Sequence, residues 1–86
     1  MSGSTDPGAE PTQRLDVSGE TCPMPLLRAK LALNQLPGGA TLEVTATDPR
    51  SERDFQTFSA QSGNELLRAE RHGEQFVYLL RKAADA

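Results

Sequence analysis

The chain's single cysteine, Cys22, stands in the run Thr21-Cys22-Pro23-Met24-Pro25-Leu26. A thiolate is a nucleophile and a leaving group, so a reactive cysteine can accept an atom and hand it on. Prolines at this spacing suit the first turn of a helix, whose leading N–H groups have no intrahelical partner. With Cys22 as the N-cap, Pro23 falls at N1 and Pro25 at N3, leaving the Met24 N–H as the one early donor to the sulfur. The helix macrodipole adds to that donor and favours the thiolate. A terminus effect of ~0.3–1 kcal/mol lowers a thiol only modestly from its ordinary value of about 8.5. Arg28 and Lys30 reinforce it, and Asp48, if close, opposes it. A moderately activated sulfur suits thiol exchange, which is fastest when the attacking thiol has a pKa near ambient pH. The plainer alternative is that a lone cysteine serves as a small buried hydrophobe. A helix start lies at the surface more often than a helix centre, which favours the reactive reading.

The elements that must hold this sulfur follow from periodicity. Residues 1–12, "MSGSTDPGAEPT", carry no apolar pattern and read as a disordered tail. "QRLDV" (13–17) alternates and reads as a short strand. Residues 23–36 are rich in helix formers, and "PGG" (37–39) stops them. "ATLEVTAT" (40–47) alternates again. Asp48 as N-cap and Pro49 at the first helical position open a second helix, which turns Phe55 and Phe58 inward and ends at Gly63-Asn64. "ELLRAER" (65–71) and "EQFVYLLRK" (74–82) flank His72-Gly73 as a hairpin. Tyr78 alternates with Phe76 and Leu80 and is assigned to the core. Residues 83–86 form a short C-terminal tail.

The order is βαβαββ. It predicts an α/β two-layer sandwich with a four-stranded mixed sheet and two helices on one face, joined by right-handed crossovers where parallel strands share the sheet. Both helices then start at the same sheet edge, where open α/β sheets place ligands, and Cys22 and Asp48 become neighbours.

Composition narrows the function. With 86 residues there is room for one domain and a thin core. Nine basic against 12 acidic residues offers no polyanion-binding surface, so direct nucleic-acid binding is not expected. No apolar run approaches the roughly 20 residues of a membrane span, and the N-terminus lacks a secretory signal pattern. One cysteine cannot form an internal disulfide, which fits a reducing cytoplasm. His72 is a turn residue without a second His or Cys beside it, so no metal site is expected.

The stretch "LDVSGETCPMPLLRAKLAL" resembles the opening of the TusA/SirA family of sulfur-carrier proteins, on Asp16, Gly19, Cys22, Pro23 and Pro25. "DPRSERDFQTF" resembles the family's Asp-Pro segment, on Asp48, Pro49, Arg53, Asp54 and Phe58, and the closing hairpin has the expected place and length. The likeness spans residues 13–82. It implies a cytoplasmic persulfide carrier of sulfurtransferase type rather than a stand-alone turnover enzyme, working without cofactor or metal. Cys22 would take sulfur from a cysteine desulfurase or a rhodanese-like donor and pass it to an acceptor protein. Family destinations include tRNA thiolation, molybdenum-cofactor pathways and sulfur oxidation. Some members have further cysteines; this chain has none, so any resolving thiol belongs to a partner.

The first helix poses a packing problem. Leu26, Ala29, Leu33 and Leu36 form one stripe, and Met24, Leu27 and Leu31 another on nearly the opposite side. The first is assigned to the sheet. The second either docks a partner beside Cys22, flanked by Arg28, Arg50 and Arg53, or lies at the margin of a broad buried face. Arg50 and Arg53 can attract a persulfide or an acidic loop, or belong with Glu52 and Asp54 to a self-neutralising solvated face. Asp16 is read as stabilising the loop before Cys22. The leading reading is a monomeric sulfur carrier held in shape at the thiol by Pro23, Met24 and Pro25. The alternative is a redox-responsive regulatory or partner-binding module using the same thiol.

Overall fold

The structure, a computed structural model, describes residues 11–84. Its elements are β1 (Gln13–Asp16), α1 (Met24–Asn34), β2 (Thr41–Ala46), α2 (Ser51–Ser62), β3 (Glu65–His72) and β4 (Gln75–Arg81). The strands form one sheet in the order β1-β2-β4-β3. β1 is parallel to β2, while β4 runs antiparallel to both β2 and β3, so the sheet is mixed as the element order predicts. The first ten residues of the expected N-terminal tail lie outside the described residues. Thr12, which closes that tail, instead exchanges hydrogen bonds with Thr41: each backbone N–H donates to the other's hydroxyl at 3.0 Å. At the far end Ala83 N donates to Asn64 Oδ1 at 2.7 Å.

Alternation places the core. Leu42 faces Leu80, which in turn faces Leu66, Val44 faces Tyr78, and Ala46 faces Phe76, so these residues share one sheet face. Onto that face pack Ala29 and Leu33 of α1 and Phe55 and Phe58 of α2. The stripe assigned to the sheet is therefore the buried one, with Pro25 joining it and Leu26 and Leu36 at its margin. Phe55 stacks on Tyr78 with ring centroids 4.6 Å apart. The C-terminal end of α1 is met by a cation: Lys82 Nζ donates to Leu33 O at 2.9 Å and, just past the helix, to Leu36 O at 3.1 Å.

α1 ends at Asn34 rather than Leu36, β2 and β4 are each one residue shorter at both ends than expected, and three further boundaries differ for identifiable reasons. α1 begins at Met24, because the Met24 N–H donates to Thr21 O at 2.8 Å and closes a turn that keeps Cys22 and Pro23 outside the helix. Pro23 is thus the N-cap, Pro25 lies at N2, and the Cys22–Pro23 peptide bond is cis. α2 begins at Ser51 with Arg50 as N-cap, because the Asp48 side chain folds the Asp48-Pro49-Arg50 segment into a turn by accepting from Arg50 N at 3.0 Å. In the hairpin His72 is the last residue of β3, paired with Gln75, so the connection is Gly73-Glu74 and Gly73 supplies the positive φ of 64°. β3 also carries a bulge. Of the adjacent Leu66 and Leu67 only the first can face the core, and the register shifts between Leu66 and Arg68, leaving Leu67 exposed.

One buried polar pair ties α2 to the sheet: Ser51 Oγ and Tyr78 Oη lie 2.7 Å apart in the core. Tyr78→Phe strands the serine hydroxyl and should cost about 1–3 kcal/mol in urea unfolding. Adding Ser51→Ala removes the stranded group, so the double variant should lose less than the sum of the two single changes.

Candidate functional site

The loop from β1 into α1 carries Cys22, and the loop from β2 into α2 holds it in place. Asp16 Oδ1 accepts from Ser18 N at 2.9 Å, and Thr47 Oγ1 accepts from Gly19 N at 2.8 Å. Gly19 adopts φ 84°, a left-handed turn that a glycine makes without strain. Asp48 Oδ2 then accepts from Cys22 N at 2.6 Å. Asp16 does what its position suggests, and the Ser18 hydrogen bonds hold its carboxyl below the usual carboxylate range.

Asp48 is more than a helix cap. Its side chain is only 4% exposed. It accepts from the backbone N–H groups of both Arg50 and Cys22 and lies against the Arg50 guanidinium at 3.3 Å. Those backbone donors, then the arginine, keep its carboxyl below its ordinary value against the pull of desolvation. Cys22 and Asp48 are therefore neighbours, as the shared helix edge implies.

The sulfur is half-buried, and its partner is Asp54. Cys22 Sγ donates to Asp54 Oδ2 at 3.0 Å. That hydrogen bond, followed by desolvation and the carboxylate's charge, pushes the thiol above its ordinary value; Arg50 pulls it down and Asp48 adds a further upward push. The expectation of a moderately activated thiol is thus reversed. The Met24 N–H is taken by Thr21 O and gives nothing to the sulfur. Arg28 is paired with Glu20 at 2.8 Å, and Lys30 lies over the Phe58 ring at 5.6 Å, so neither is turned to the thiol. The arrangement holds a neutral nucleophile with a proton acceptor in contact.

The three apolar residues of the second stripe stand free on α1: Met24 and Leu27 are each 43% exposed and Leu31 is 63% exposed. The reading of Leu27 and Leu31 as the margin of a buried face does not hold. Arg28, Arg50 and Arg53 are exposed as well, with Arg50 held on Asp48. A surface cavity of about 470 Å³ lies beside Gly39, Gly63, Arg81 and Lys82, at the opposite ends of the helices. Cys22, in the loop before α1, is not among the residues lining that cavity. Among the described residues no group of three or more His, Cys, Asp or Glu side chains is placed to hold a metal ion, and no helix is long and apolar enough to cross a membrane.

Asp54, named above as a match to the family's Asp-Pro segment and as part of a solvated face, makes a contact to the thiol that the reading of the residues does not foresee. Grouping it with Glu52, Arg50 and Arg53 as a self-neutralising face overlooked that helices starting at one edge bring the first turn of α2 against the start of α1. The available signal was the acidic pair in that first turn.

The family model described as "Sulfurtransferase TusA" matches residues 13–82. The chain is 48% identical over 71 residues to the sulfur carrier protein TusA of Allochromatium vinosum, covering 83% of this chain and 93% of that one. It is 37% identical over 75 residues to the sulfur carrier protein TusA of Pseudomonas putida, covering 87% and 94%. The crystal structure of a SirA-like protein from Desulfitobacterium hafniense has the same fold, with a TM-score of 0.72 at 24% identity over 83% of this chain and 97% of that one.

The lowered Asp48 carboxyl sets an acid limit. A carboxyl depressed in the folded state contributes stability that is complete above its unfolded value of about 3.9 and is lost as pH falls through the folded value. Thermal midpoints should therefore fall as pH drops below ~4. Asp48→Asn should melt lower near neutrality and show a flatter acid limb, the remaining slope coming from groups such as Asp16. Parallel acid limbs in the two proteins would count against this role.

Proposed function

Because the chain belongs to the TusA family of sulfur carriers, we propose that its carrier atom is Sγ of Cys22 and that its cargo is a sulfane sulfur held as a persulfide. The observation that carries the reading is a lone, surface-placed thiol, fixed through its backbone by Asp48 and through its proton by Asp54, beside an exposed apolar strip. In loading, Cys22 Sγ attacks the outer sulfur of a donor protein's persulfide. The donor's S–S bond breaks, its cysteine leaves with the electron pair, and the proton from Cys22 ends on that thiolate. In delivery, an acceptor thiolate attacks the outer sulfur on Cys22, and Cys22 departs and regains a proton. Neither step needs an external oxidant or reductant.

The donor in this reading is a cysteine desulfurase or a rhodanese-like protein. Met24, Leu27 and Leu31 receive it, with Arg28, Arg50 and Arg53 at the rim. A raised thiol pKa costs thiolate population but leaves the ionised sulfur a stronger nucleophile, which suits encounters with a dedicated partner. It counts against a peroxide-sensing thiol, which needs an accessible thiolate at rest.

Two measurements test this. Incubation with a cysteine desulfurase, pyridoxal phosphate and cysteine should add one sulfur, about 32 Da by intact mass, and Cys22→Ser should gain nothing; an unchanged wild-type mass with several desulfurase and rhodanese donors would refute the assignment. Leu27→Ser/Leu31→Ser should stay within about 1 kcal/mol of wild-type stability, since both residues are largely exposed. That variant should load about tenfold more slowly from the protein donor, yet at the wild-type rate from inorganic polysulfide, which needs no docking.

A further inference from the structure

The contact between Cys22 and Asp54 has a property that follows from valence. Sγ is the donor and Asp54 Oδ2 the acceptor, at 3.0 Å. Once Sγ is bonded to a second sulfur it carries no hydrogen, so it then presents only lone pairs to the Asp54 carboxylate. The hydrogen bond can exist only in the unloaded protein. We propose, resting on the carrier reading above, that Asp54 is a positioning residue that latches Cys22 against α2 as a neutral thiol when the carrier is empty, and that loading opens the latch.

The surrounding charges agree. The groups acting on the sulfur are Asp54 of α2 and Asp48 and Arg50 of the segment preceding α2. The first turn of α1 contributes no acid, and its nearest cation, Arg28, is paired with Glu20 of the preceding loop. Asp54 and Asp48 oppose a charge on Sγ, whereas Arg50 favours one. A persulfide is a stronger acid than its parent thiol and places its charge on the outer sulfur, one S–S bond of about 2.05 Å beyond Sγ. The empty carrier is therefore neutral and held at this point, and the loaded carrier is anionic and released. A partner that meets the site with a cation distinguishes the two states. An unlatched empty thiol would be open to oxidation and alkylation between encounters, and Asp54 suppresses both.

The test is iodoacetamide alkylation followed by intact mass across pH, on wild type, Asp54→Asn and Asp54→Glu. Each is examined unloaded and after loading with inorganic polysulfide. Unloaded Asp54→Asn should react on the order of tenfold faster than wild type at pH 7, with its rate profile displaced to lower pH. Asp54→Glu, which keeps the charge, should retain a slow profile. A merely structural role would leave these pH profiles superimposed. Once loaded, wild type and Asp54→Asn should react at the same rate. Equal rates in the unloaded proteins, or an equally wide gap in the loaded ones, would overturn the latch. Failure of polysulfide to add sulfur to any of the proteins would instead count against the carrier reading, and the unloaded comparison would still decide what Asp54 does.

Discussion

The site depends on a carboxylate that reaches from one helix start to the other. Asp48 leaves the end of β2, folds the turn into α2 and accepts the backbone N–H of Cys22 at 2.6 Å. Without that acceptor the part-buried Cys22 N–H would lose its partner in the loop before α1. Because the two crossovers open at one sheet edge, a single buried side chain can register both helices. Arg50 then balances the charge, and the buried acid is not left uncompensated.

Around this anchor the two faces of α1 divide the work. Ala29 and Leu33 close the sheet and make the helix a rigid mount. Met24, Leu27 and Leu31 add little to the core and stand beside the sulfur. The Asp54 contact gives the same surface a chemical restraint. The exposed apolar strip and the carboxylate that holds the thiol are thus carried by different helices that meet at Cys22.

Much of this is legible in the residues. Alternation in "ATLEVTAT" and "EQFVYLL" places the two central strands, and Pro37-Gly38-Gly39 marks the end of α1, because periodicity and turn chemistry are local. The opposed stripes of α1 also read correctly, since a two-layer fold can cover only one. Details set by side-chain contacts between distant segments did not read. The N-cap of α1 moved by one residue because Thr21 O captured the Met24 N–H. The opposing charge of Asp48 is legible from the shared helix edge, but the macrodipole and Arg28 are outweighed by a group the residues do not announce, Asp54, 32 positions away. The bulge at Leu67 escaped because two adjacent leucines are both compatible with a strand until the register of β4 selects one.

The order β1-β2-β4-β3 puts the last strand of the chain inside the sheet, between β2 and β3. Among the described residues no other strand joins the parallel pair to β3, so the sheet is continuous only once β4, ending at Arg81, is in place. The thiol-bearing loop precedes that strand in the chain. A stop within β4 would therefore leave the Cys22 loop without a continuous sheet behind it.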